Sequence, residues 1–277
     1  MLLSWLLACT NGATKDDTAQ ADDSAAGRDF TLAVEGGGTV DYSAEAAAGT
    51  EAAPAAIVLD QPGVLTVGAG TWFVMLDVTV PLTIVGAGSV DALPVLSAGG
   101  KGVVISVSAP VALTVEDIAI TGGFGCLGQA IRSGVVLECN RESVTAVPVD
   151  LTLRRVDIHD NVFDIGGGAV GVTAGSTVLV EDSNIHENTG HAIYGQMADV
   201  TCRGVTGAQA GLWGNGKNGV WIEIFDDSPH SIVSENCDFG EGASDNGHDD
   251  VGFNETLAMD YGDDATFTCD SASSVCQ

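Results

Sequence analysis

Five stretches of the chain line up on one another, and that repetition limits the possible folds more than any other feature. LTVEDIAITGG begins at Leu113, LTLRRVDIHDN at Leu151, VLVEDSNIHEN at Val178, VTCRGVTGAQ at Val200 and IVSENCDFGEG at Ile232. Each has an apolar residue at its first position, often at the third, and again near the sixth and eighth. The starts lie 38, 27, 22 and 32 residues apart. A second run follows three of them: GGGAVGV from Gly166, GHAIYG from Gly190 and NGVWIEI from Asn218. One repeat is a strand, an Asn-containing turn, a glycine and a second strand. A period of roughly 20–30 residues built from short strands marks a stacked β-solenoid, where each coil leaves an edge that only the next coil satisfies. Residues 63–88 and 103–107 read as earlier coils, and no convincing helical period interrupts the pattern. The competing fold is a β-sandwich of the same strand content, whose turns recur about every 8–12 residues without a longer repeat.

The coils resemble the right-handed parallel β-helix repeats of the pectate lyase-like superfamily. The pairing of an Asn-ended strand with GGGAV or GHAI is similar to the repeats of polymorphic outer-membrane proteins. The resemblance spans residues 57–240 and implies an all-β, single-stranded, right-handed parallel β-helix. Residues 30–56 are then an N-terminal cap and residues 241–277 an acidic C-terminal cap, since an uncovered solenoid end pairs with other chains. Function stays open, because such repeats serve lyases, hydrolases and adhesins alike.

Charge narrows the function. Nine Lys and Arg stand against 38 Asp and Glu. Nucleic acid is excluded as a partner, because its phosphates need cations to neutralise them. Polyanionic substrates are disfavoured unless a divalent metal bridges the charges. After Lys217 there is no Lys or Arg, yet fourteen acids follow. A lyase of the resembled type needs a basic residue, usually Arg, to take a proton, and cations to hold a uronate. The six arginines are 28, 132, 141, 154, 155 and 203. The polygalacturonase pattern is echoed only at Gly247-His248-Asp249-Asp250, and its Arg-x-Lys element is missing. No catalytic residue is carried over.

Met1 to Ala8 is apolar and ends on a small residue before Cys9. Leu6-Leu7-Ala8-Cys9 resembles the lipobox of bacterial lipoproteins, with Met1 to Ala8 as signal peptide, although the run is short and lacks a basic segment. The resemblance implies a lipid on Cys9, and Thr10 after it points to the outer membrane or cell surface. Residues 9–29, small, polar and acidic, read as a flexible tether. Setting Cys9 aside leaves six cysteines, an even number in an exported chain. Sequential pairing gives Cys126–Cys139, Cys202–Cys237 and Cys269–Cys276, one of fifteen connectivities that six cysteines allow.

Four aromatic side chains and three acids are the candidate binding residues. His159 and His186 occupy one repeat position, in IHDN and IHEN, and offer either a ligand contact or a solvent-facing ladder. Asn161 and Asn188, aligned two residues later, read as a structural turn ladder. Trp213 and Trp221 flank the GNGKNG loop as a candidate carbohydrate platform, Trp221 being equally suited to the core. Asp245, Asp249 and Asp250 lie in the glycine-rich stretch GASDNGHDDVG, which reads as a calcium loop or a solvated acidic loop. The expected function is non-enzymatic: a monomeric surface lipoprotein presenting loops for adhesion, to a glycan or another surface protein. The alternatives are a polysaccharide lyase or glycoside hydrolase on the same scaffold, and a purely structural envelope protein.

Overall fold

A computed structural model of the chain describes residues 29–89, 92–136, 144–205, 210–224, 230–240, 242–248, 250–253, 258–260, 269–270 and 275–276. The lipid-attachment candidate Cys9, Cys139 and Asp249 lie outside them. Among the described residues nearly every element is a strand, with a short α-helix, Ser43–Ala48, and a 3-10 turn, Gly242–Ser244. Among the described residues no helix is long and apolar enough to cross a membrane.

An antiparallel hairpin, Phe30–Val34 and Thr39–Asp41, forms one edge of a ten-stranded sheet. The strands that follow Gly63–Val67 in this first sheet all pair in parallel: Leu82–Gly86, Val111–Glu116, Val149–Arg154, Thr177–Glu181, Asp199–Arg203, Ser231–Glu235 and Ala258–Asp260. A larger sheet has two arms that share the strand Thr71–Val78. The first arm continues through Val95–Ser97, Ala119–Thr121, Asp157–His159, Asn184–His186, Ala210–Gly211 and Cys237–Asp238. The second continues through Ile105–Val107, Phe124–Ser133, Val162–Val172, His191–Gln196, Val220–Glu223 and Val251–Phe253. From Gly63 onwards the chain visits the first sheet, the first arm and the second arm in turn, then returns to the first sheet. Parallel pairing is not that of the β-sandwich alternative, whose sheets are antiparallel.

The aligned starts are literal neighbours: Leu113, Leu151, Val178, Val200 and Ile232 stand opposite one another in the ladder. Strand alternation sends this column inward, with Leu113 and Leu151 buried, and the residues between them outward. Three positions after each start lies an outward column of alternating charge: Glu116, Arg154, Glu181, Arg203 and Glu235. Arg154 bonds Glu116 at 3.1 Å and Glu181 at 3.2 Å, and Arg203 bonds Glu181 at 2.6 Å. Each half-exposed pair adds only about 0–1 kcal/mol. Their larger effect is on register, since like charges on adjacent rungs repel and a one-residue slip reverses the faces. At the corner that follows, Asp117, Arg155, Asp182 and Asn236 take the left-handed conformation, with φ of 54°, 51°, 48° and 55°. Arg155 there bonds Asp117 through two nitrogens, at 2.7 and 2.8 Å.

Parallel pairing also continues past residue 240, where the sequence reading placed the cap. Val251–Phe253 pairs with Val220–Glu223, and Ala258–Asp260 with Ser231–Glu235. Antiparallel strands come only after that, with Cys276 opposite both Val251 and Cys269. The expected bond between Cys202 and Cys237 is present, with a Cα–Cα distance of 5.8 Å, and crosses the interior from the first sheet to the first arm. Cys126 is disulfide-bonded as well. Beside Cys202 in the ladder, Ser234 is fully buried and its hydroxyl has no hydrogen-bond partner. Ser234→Ala removes an unsatisfied polar atom, so it should raise stability by about 1 kcal/mol, read as a higher urea midpoint at constant slope.

Candidate functional site

The site is built on a file of buried asparagines at the corner between the two arms. Asn161, Asn188, Asn215 and Asn246 are each at most 5% exposed. Each Nδ2 donates to the next Oδ1, at 2.9, 3.0 and 3.1 Å in order. Each of the first three also donates to the carbonyl two residues earlier, of His159, His186 and Trp213. The backbone N–H of one asparagine donates to the Oδ1 of the next. The Asn161 and Asn188 ladder read from the sequence is therefore longer than expected. Asn215, inside the supposed glycine-rich loop, and Asn246, inside the supposed calcium loop, are its next rungs.

By fixing those three carbonyls, the ladder fixes the residues that carry them, which project from the outer face of the first arm. His159 and His186 are partners in register. Their rings stack with centroids 5.5 Å apart and an 18° interplanar angle. Trp213 extends the stack onto His186 at 4.3 Å and 16°. Trp213 lies close over Gly211, where a Cβ would come within 2.7 Å of the indole. Carboxylates line the stack. Asp157 accepts a 2.8 Å hydrogen bond from Nε2 of His186, and Asp160 accepts one of 2.9 Å from Nδ1 of His159. Glu187 Oε2 lies 3.5 Å from Nδ1 of His186. Burial alone would pull the His186 pKa down; the hydrogen bond to Asp157, then the charges of Asp157, Glu187 and Asp160, outweigh it and leave it raised. Burial likewise pushes the Asp157 carboxyl up, and the hydrogen bond and charge of His186, with His159, bring it below its ordinary value.

Trp213 and Trp221 do not form one platform, contrary to the sequence expectation. Trp221 stands on the second arm, its ring 5.8 Å from that of His191 and close over Gly252. The two tryptophans flank one loop in sequence, but that loop turns the chain from one arm to the other. His191 is buried and accepts a 3.2 Å hydrogen bond at Nδ1 from the Asn218 N–H. Burial, then the charges of Lys217 and His248, push its pKa down to about 3, so it stays neutral at physiological pH.

The acids of the expected calcium loop are separated by Asn246. Asp245 is exposed and accepts a 2.9 Å bond from the Asn246 N–H, whereas Asp250 is buried. Among the described residues no group of three His, Cys, Asp or Glu side chains is placed to hold a metal ion. Of the described arginines, Arg154, Arg155 and Arg203 are held in ion pairs, and Arg132 donates to Ser106 at 3.0 Å. No family model, no curated protein and no solved structure matches the chain.

Proposed function

We propose that the chain is a right-handed parallel β-helix, tethered to the outer membrane through a lipid on Cys9, that binds glycans without cleaving them. The recurring order of first sheet, first arm and second arm supports the solenoid, and parallel crossovers within one sheet are nearly always right-handed. The observation that carries the binding role is the stack of His159, His186 and Trp213 on an outer face. These rings are amphipathic, with apolar bodies and polar tips. His186 is covered on both faces by its neighbours, so a sugar meets ring edges and the carboxylates beside them. Asp157, Asp160 and Glu187 then supply acceptors for hydroxyl groups, and the asparagine file holds the whole row rigid, which lowers the entropy cost of binding.

A glycan-array screen of the full chain, with Trp213→Ala beside it, tests this. Binding without cleavage is expected. For a hit, the variant should raise Kd about tenfold or more, as loss of an aromatic hot spot does. Cleavage products would favour the enzyme reading, and silence across the array would favour a structural envelope protein.

A further inference from the structure

We infer that Nδ1 of His186 is a proton switch that regulates the proposed binding face: taking up a proton there ties Asp157 and Glu187 together through one imidazolium and tightens the ring stack across three successive coils. The inference concerns the regulation of the glycan site and rests on that reading for its biological use, but the switch itself operates without a ligand.

The geometry defines where the proton goes. Nε2 of His186 already donates to Asp157, so the neutral ring carries its hydrogen there and presents a bare lone pair at Nδ1. That nitrogen is buried and has no hydrogen-bond partner, and the nearest carboxylate oxygen, Oε2 of Glu187, is 3.5 Å away. In the neutral state a lone pair therefore faces a carboxylate. Protonation turns this repulsion into a charge-assisted contact. The groups facing His186 are Asp157, His159 and Asp160 from the coil before, Glu187 on its own coil and the Trp213 ring from the coil after. Three carboxylates and an indole face at 4.3 Å all favour a cation there, and His159 alone disfavours it when protonated. Since the folded-state value lies above the ordinary 6.5, the stabilisation is fully present below pH 6.5 and is lost as pH rises through the folded value. It ends in stronger acid, where Asp157, held below 3.8, takes up its own proton.

The molecule contains its own control. Trp213 stacks on a histidine whose pKa is raised above the ordinary 6.5, and Trp221 on one held far below it, because His191 is at about 3. An imidazolium in contact with an indole quenches its fluorescence. The test is a tryptophan emission titration of the full chain between pH 8 and pH 5, without glycan. The expected result is a loss of emission with a midpoint above 6.5. The loss should persist in Trp221→Phe and vanish in Trp213→Phe and His186→Gln. Asp157→Asn, a conservative change at a part-exposed position, should move the midpoint to lower pH while far-ultraviolet circular dichroism confirms folding. A transition that survives His186→Gln, or a midpoint that Asp157→Asn leaves in place, would overturn the switch. An intact titration with no hit on the array would leave the switch standing and remove the glycan reading.

Discussion

Asn188→Asp is expected to destabilise the protein by about 3–5 kcal/mol, the largest effect of any single substitution considered, although the two side chains have the same shape. Nδ2 of Asn188 donates to the carbonyls of Ile158 and His186 and to Oδ1 of Asn215, and its own Oδ1 accepts from both nitrogens of Asn161. Aspartate keeps the acceptor and loses both N–H hydrogens that Nδ2 shares among these three oxygens. The three oxygens that had accepted them then face a buried carboxylate. An unsatisfied buried group costs about 1–3 kcal/mol, and a buried charge without a partner costs more. The measurement is the urea midpoint of the variant against the parent. The damage should also reach the proposed glycan site, because the His186 carbonyl is one of the groups that Asn188 holds. Weakened binding by the ladder face should accompany the lost stability.

Removing the internal disulfide, by the double change Cys202→Ala and Cys237→Ala, should cost about 3–4 kcal/mol. The bond closes a separation of 35 residues and both half-cystines are buried. The loss should be felt locally, because in the proposed solenoid each coil is stabilised chiefly by its neighbours. Hydrogen exchange should show protection falling in Ser231–Glu235 and Ala258–Asp260 while Val111–Glu116 keeps its own. Uniform loss across all three strands would mean that the sheets open as one unit.

Much of this architecture was legible because repetition turns sequence spacing into spatial register. Leu113, Leu151, Val178, Val200 and Ile232 align on paper and pair in space. The charge column at Glu116, Arg154, Glu181, Arg203 and Glu235 sits three residues after each start, so its signal was present in the same alignment. The place of Trp213 was hidden for a physical reason. Counted from the first-sheet strands, the period changes from 22 to 32 residues around Val200. The turn before Asp199–Arg203 is short and the corner after it is long, and the two irregularities offset one another. Counted from the asparagines, the period holds at 27 residues from Asn161 to Asn188 and again to Asn215. His159, His186 and Trp213 keep the same 27-residue spacing. The rung at Trp213 was also masked locally, since Ala210–Gly211 is a two-residue strand among glycines and carries no β-branched signal. The hydrogen bond behind the proposed proton switch was not legible at all, because it joins Asp157 on one strand to His186 on the next strand of the arm.

The proposed ligand face is the outer face bearing His159, His186 and Trp213. The most direct test is to follow the indole N–H resonances of the tryptophans by two-dimensional NMR while a glycan identified on the array is titrated in. The Trp213 resonance should shift with saturation while those of Trp72, buried in the core, and Trp221, on the other arm, stay in place. Saturable shifts at Trp221 with Trp213 unmoved would contradict it and move the binding face to the second arm.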